Sequence, residues 1–413
     1  MVEKNEEKDR FELTRREFVI GSAGVTLAII GSTAILSGCS SSGGSTGAQG
    51  DVEPTELDVS TDQVVDSSDF SELDASKCVS LTTEYDLQIG TVGHMDGDSL
   101  AAMLYPGDST DVLVQIGLLP VLSGGMSSVL STPLSKSEGY QIYDVRANDQ
   151  VIVWVECNLH TDDWRLYVAP VQSSSSIGAP NMVDQGDADF DPPMLCVSGS
   201  RAFWTYMPSE DGGASDSDSY LKYADSGSSK AGVVYTSHGR MITNPQASDG
   251  IVTIVPRADT QSTRYQLTAI DASTGDVVAA ELLPSSMQAY DAIYLDGSFV
   301  FSIEKSYNYD SGISDFGTYA PIDDSTYMRF NRTPMDTPVK CGKYLFIKST
   351  KSVVGLDLSS QSFFAIDTVS GCESYGDFLL STGTSDNVVV YTSVPKGDGS
   401  GDGNVHVRVF SVL

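Results

Sequence analysis

The sequence predicts an all-β chain: a β-propeller of seven four-stranded blades behind a disordered N-terminal tether. Three observations predict it. A short pattern, a Gly/Asn/Asp/Ser turn followed by a β-branched and aromatic strand, returns with starts at residues 99, 150, 201, 250, 298, 343 and 387. Successive starts lie 44–51 residues apart, about the length of one propeller blade. Between Leu81 and the C-terminus no stretch sustains a 3.6-residue apolar period. The residues after the tether are also too many for one ordinary core unless that core is built from repeats.

The leader comes first. Polar residues end in Thr14-Arg15-Arg16-Glu17, an uncharged run follows from Phe18 to Ser37, and small residues close it at Leu36-Ser37-Gly38-Cys39. Basic flank, apolar run and small-residue exit make a signal peptide over residues 1–38. Arg15 and Arg16 before Glu17-Phe18-Val19 resemble the twin-arginine export signal, with Ile20 where that family often has a basic residue. Leu36, Ser37, Gly38 and Cys39 resemble the lipobox of bacterial lipoproteins, which implies cleavage before Cys39 and diacylglycerol on its sulfur. The other reading is an uncleaved anchor helix, since a run of about twenty residues can span a bilayer. Either reading leaves the bulk of the chain lipid- or membrane-held on the extracytoplasmic face of the cell membrane.

Residues 39–75 are rich in Ser, Gly, Asp and Glu and poor in aromatics. Such a stretch buries too little apolar surface to fold alone and reads as a disordered tether. Residues 76–413 are then the propeller domain. The whole chain carries 24 basic and 56 acidic residues; the leader holds five and six of these, leaving 19 and 50. That balance disfavours nucleic acid and anionic headgroups as direct partners. It suits a soluble body held off a membrane, or a surface that binds cations.

Each repeated strand has a second one after it, as in Trp164–Val168, Tyr265–Ile270 and Val405–Phe410. Several alternate polar and apolar residues, as half-buried strands do. The last copy offers strands near Tyr375–Leu380, Asn387–Thr392 and Val405–Val412 and then stops. Its missing fourth strand is expected from Ser76–Thr83, closing the ring with both ends of the chain. The phrase Leu267-Thr-Ala-Ile-Asp271-Ala-Ser-Thr-Gly275-Asp-Val-Val278 resembles the repeat of pyrroloquinoline-quinone-type propellers. A fainter copy is Val354–Ser359. The likeness implies a propeller. The tryptophan that usually closes such a repeat is missing after Val278, so the family's quinone is not carried over.

Cysteines beyond Cys39 are Cys78, Cys157, Cys196, Cys341 and Cys372, dispersed and without a C-x-x-C. An odd number leaves at least one unpaired; Cys341 with Cys372 is the expected bridge, the alternative being small buried residues. His94, His160, His238 and His406 form no zinc motif, and no G-x-S-x-G elbow or phosphate loop occurs. His238 beside Arg240 reads as a turn histidine, the alternative being that it faces the central channel. Asp398, Ser400 and Asp402, with Gly403 in sixth place, resemble the start of a calcium loop, but its twelfth position is Val409 rather than Glu. Calcium is thus a weak cofactor candidate beside a plain hairpin, and no other cofactor is indicated. Tyr307, Tyr309, Phe316 and Tyr319 crowd a long insertion with Gly and Ser, suited to recognising protein or glycan, or to packing over the blade edge.

The expected function is a lipid-anchored, non-enzymatic binding module for an envelope protein, a glycan or a small ligand. The alternative is an exported enzyme or a quinone- or metal-dependent carrier with its site in the central channel. No residue is assigned a catalytic role.

Overall fold

The computed structural model describes residues 52–107, 114–137, 139–210, 212–213, 217–259, 264–285, 287–307, 311–397 and 403–413. The described residues form seven sheets in a propeller arrangement. Six are contiguous stretches of chain: 92–130, 140–186, 195–237, 246–282, 291–330 and 339–366. We call these blades 1 to 6. Each is an antiparallel meander whose first strand lies innermost.

The seventh copy expected from the repeat is not a complete blade of its own. The chain reaches its end after three strands, Phe378–Leu379, Asn387–Pro395 and Gly403–Val412. The fourth comes from the other end of the sequence, Val79–Gln88, which pairs antiparallel with Gly403–Val412 from Val79↔Val412 to Gln88↔Asn404. The structure thus has six contiguous blades rather than the seven expected, and the remaining sheet is completed from the N-terminal side as the missing fourth strand predicts. The closing strand covers the expected Ser76–Thr83 in part and runs five residues further.

The repeated sequence pattern marks the second strand of each sheet. In blade 2 this is Val151–Asn158, buried along its whole length. It packs between neighbours on both faces, which is why β-branched residues fill it. The turns that precede it explain the acidic-glycine signature. Asp249 and Gly250 take φ of 49° and 78°, and Asp296 and Gly297 take 49° and 85°. Two successive positive φ values make the hairpin turn whose twist matches the strands.

The tether expectation is corrected over residues 52–75. We label three short strands here β1 (Thr55–Glu56), β2 (Val64–Asp66) and β3 (Ser71–Glu72), and the closing strand β4 (Val79–Gln88). β1, β2 and β3 pair parallel with the outer strands of blades 4, 5 and 6 in turn. A 3-10 turn follows β1, β2 and β3 alike, at Thr61–Gln63, Ser67–Asp69 and Ala75–Lys77. The polar residues that look disordered in sequence are the caps of these turns. Asp66 accepts from the Ser68 N–H at 2.9 Å and Asp74 from the Ser76 N–H at 3.0 Å. Leu57 and Val59 join the core of blades 4 and 5, and Phe70 joins that of blades 5 and 6. Burying such a side chain is worth about 1.5–3 kcal/mol, so three plugs hold an otherwise polar belt to the rim.

The expected Cys341–Cys372 bridge is also corrected. Cys78, Cys157, Cys196, Cys341 and Cys372 are free thiols. Cys341 ends the inner strand of blade 6 on one face, while Cys372 lies in the connection that starts the next sheet on the other.

Candidate functional site

Inner strands line the centre of the ring, and all begin on the face where one blade hands over to the next. Toward their other ends the inner strands are bridged by a plug, residues 380–384. Gly383–Thr384 pairs parallel with the inner strand of blade 6, Val339–Cys341. From there it reaches blade 4, where the Thr384 N–H donates to Ser248 Oγ at 3.0 Å. Gly383 has φ of 65°, and a Cβ on it would sit 2.6 Å from the Ala247 carbonyl oxygen, so only glycine fits the crossing. Asp96 fastens the same plug. Its carboxylate accepts from Thr382 Oγ1 at 3.0 Å and from the Val197 N–H at 3.1 Å, joining the last sheet to blade 3. Burial pushes Asp96 up, against the pull of Arg146, and burial holds His94 well down as a neutral imidazole.

The beginnings of the inner strands collect the polar groups that the plug leaves unused. Asp291 is the first residue of its inner strand in blade 5 and is only 7% exposed. Gln246, first in the inner strand of blade 4, donates through Nε2 to Asp291 Oδ1 at 3.2 Å and to Thr337 Oγ1 at 2.9 Å. Asp291 Oδ2 is buried with no hydrogen-bond partner. Burial pushes this carboxyl up. Beside it, Asp336 lies on the connection from blade 5 to blade 6. It accepts from the Leu379 N–H at 2.7 Å and the Thr337 N–H at 3.1 Å. Burial outweighs these bonds and the nearby Lys348 charge, raising Asp336 to about 7.

Lys348 ends the second strand of blade 6, 1% exposed. Its ammonium donates to the Tyr375 carbonyl at 2.5 Å and sits 4.5 Å from the Phe378 ring centre. Burial lowers it to about 8, although Asp336 and Asp377 pull it upward. Asp377 is fully buried and accepts from Arg408 Nη2 at 2.7 Å. Tyr290 is pushed up to about 12 by burial and by the charges of Asp291, Glu304 and Asp336, so it stays a neutral phenol. The mouth thus holds carboxyls and an amine displaced toward neutrality by burial.

The residues expected from sequence lie elsewhere. Arg15, Arg16, Leu36, Ser37, Gly38, Cys39, Tyr309, Asp398, Ser400 and Asp402 fall outside the described residues. Tyr319 is fully buried, stacked on Phe301 at 5.6 Å, and its hydroxyl donates to the Asp315 carbonyl at 2.8 Å. Tyr307 is half-buried and its hydroxyl accepts from the Gln288 N–H at 2.9 Å. Phe316 is half-buried under the Arg329 guanidinium, 5.5 Å from the ring centre. These three rings pack into blade 5 and form no shared exposed face. Their loop also holds the belt, since the Gly312 N–H donates to the Val59 carbonyl at 2.7 Å. The four histidines stay apart. His238 pairs with Asp218 at 3.1 Å and is exposed, and His406 pairs with Asp86 at 2.7 Å across the closing strand. Among the described residues no three His, Cys, Asp or Glu side chains are placed to share a metal ion.

No family model and no curated protein matches this chain. Solved structures are similar in fold at low identity. The S511A mutant of puromycin hydrolase complexed with PGG matches at 12% identity and a TM-score of 0.48, over 73% of this chain and 50% of that one. The chain therefore spans half the length of that hydrolase. The β-propeller domain of the Trilobed protease from Pyrococcus furiosus matches at 11% identity and a TM-score of 0.42, over 66% and 82%. An oligogalacturonate lyase in complex with manganese matches at 10% identity and a TM-score of 0.45, over 83% and 98%. Likeness at this level concerns the fold and says nothing of activity.

Proposed function

We propose that this chain is a lipid-anchored, extracytoplasmic propeller that binds a small polar ligand where its inner strands begin. One observation carries the reading: Asp291 is buried at that mouth with an oxygen that no protein group satisfies. A buried carboxylate oxygen without a partner costs about 1–3 kcal/mol, and a ligand or bound water is what supplies the missing bond. The anchor rests on Cys39 and the residues before it.

The test has two arms. Mass spectrometry of the mature protein reads the N-terminus; acylated Cys39 supports the anchor and an unmodified Met1 on membrane-bound protein overturns it. Thermal unfolding of the mature protein against sugars, amines and short peptides reads the site. A stabilising ligand whose effect disappears in Asp291→Asn supports binding there. If no compound stabilises the protein, or if the effect survives the substitution, the site fails.

A second reading has its own observation. Lys348 at about 8 and Asp336 at about 7 are an amine and a carboxyl poised near neutral pH, as general acid–base groups are. Turnover of ester, amide or glycoside probes that vanishes in Lys348→Met would favour an exported enzyme.

A further inference from the structure

The groups at the channel mouth differ in what they still lack. The Asp291 carboxyl is drawn on by Gln246, the Thr337 side chain and the Ala292 backbone, yet Oδ2 has no hydrogen-bond partner of its own. The Gln246 amide gives one N–H to Asp291 and the other to Thr337, so it has none left for the second oxygen. Asp336 has a backbone N–H on each oxygen, and each oxygen keeps a further lone pair. What the pair lacks is donors carrying positive charge.

The two neighbouring cations do not provide them. Lys348 gives its ammonium to the Tyr375 carbonyl and the Phe378 ring, and Arg408 gives its guanidinium to Asp377. Neither makes an ion pair with Asp291 or Asp336 among the described residues. A divalent metal suits the place poorly. Among the described residues no three His, Cys, Asp or Glu side chains are placed there to share one. A primary ammonium needs only about three acceptors, and Asp291, Asp336 and Thr337 offer them. Tyr290, Phe378 and Tyr391 stand close by as neutral rings of the kind that favour an organic cation.

We propose that Asp291 and Asp336 receive the ammonium group of a small organic amine. The proposal rests on the reading of the channel mouth as the binding site and names the ligand class it takes. Gln246 positions Asp291, and the Leu379 and Thr337 N–H groups position Asp336. The amine supplies the donor that Asp291 Oδ2 lacks and favours the ionised form of both carboxyls against the burial that raises them.

Scanning calorimetry of the full mature protein tests this with methylammonium chloride, glucosamine, glucose, tetramethylammonium chloride and sodium chloride at matched ionic strength. Methylammonium and glucosamine are expected to raise the melting temperature by about 2–4 °C near saturation. Tetramethylammonium, which has no N–H, and sodium are expected to leave it unchanged. Asp291→Asn removes the shift, while Glu281→Gln, at a half-buried carboxyl on blade 4, keeps it. If Asp291→Asn does not fold, Asp336→Asn serves instead, with amine affinity lowered at least tenfold. Equal shifts from sodium or tetramethylammonium, or a shift that survives both substitutions, overturn the proposal. A shift from glucose alone, lost in Asp291→Asn, rejects the amine but keeps the binding site. No shift from any compound rejects both.

Discussion

Leu413, the last residue, donates its backbone N–H to the carbonyl oxygen of Cys78 at 2.9 Å. That bond ends a ladder in which the C-terminal strand Gly403–Val412 pairs with β4 along nine positions. The ring is therefore closed by hydrogen bonds between residues more than 300 positions apart in sequence. Thr82 and Ser411 add a hydroxyl pair at 2.8 Å.

Removing the closing strand opens that whole ladder. Deleting residues 76–88 is expected to abolish cooperative unfolding and to cause aggregation through the exposed strand edge. Leu87→Ala is the milder probe. Leu87 is buried against the last sheet and blade 1, and its truncation is expected to cost about 2–4 kcal/mol in urea unfolding. Stability equal to that of the unaltered protein would reject closure by β4.

The belt is held more lightly. β1 and β3 pair over two residues each and β2 over three. Hydrogen exchange is expected to show the amides of Leu57, Ser71 and Leu73 opening well before those of β4. Phe70→Ala is expected to speed exchange at Ser71 and Leu73 and to lower stability by about 2–4 kcal/mol. Belt amides as slow as the ring interior would show that belt and ring unfold as one unit.

Arg408 and Asp377 form a buried ion pair within the last sheet. Asp377→Ala leaves the guanidinium buried without a partner and is expected to cost about 3–5 kcal/mol. Replacing both, as Asp377→Leu with Arg408→Met, is expected to cost clearly less than Asp377→Ala alone. Urea unfolding of the three proteins checks it, and equal losses would show that the charge pair is not what matters.

Glu281 gives a pH test. Burial raises its carboxyl to about 7, and Oε2 has no partner. The folded state thus holds the proton more tightly than the unfolded chain, and stability falls as pH rises from about 4.5 to about 7. Glu281→Gln cannot ionise. It is expected to match the unaltered protein near pH 4.5 and to exceed it by about 1–2 kcal/mol at pH 8. Identical pH profiles for the two proteins would remove Glu281 from the account.

Much of the fold was legible because local chemistry dictates it. Gly250 and Gly297, each behind an aspartate, signal hairpins by their need for positive φ. The strands after them are legible because burial on two faces demands β-branched residues. The closing strand followed from counting strands in the last sheet. The tyrosine loop left recognition and packing both open, because exposed and packed tyrosines look alike in sequence; Tyr319 stacks on Phe301 in the interior. The belt misled for a related reason. Asp66 and Asp74 read as solvated charge, yet they cap turns between strands that pair with a distant rim.

By itself the sequence determined the strands, the turns and the need for two ends to meet. Those depend on residues close together in the chain, where backbone preference and apolar periodicity act. Tertiary structure alone decided that residues 52–75 bind the rim, that residues 380–384 bridge the inner strands and that Asp291, Asp336 and Gln246 share one mouth. These groups come from different blades and have no fixed spacing. Their pairing, burial and displaced protonation arise only once the ring brings the inner strands together.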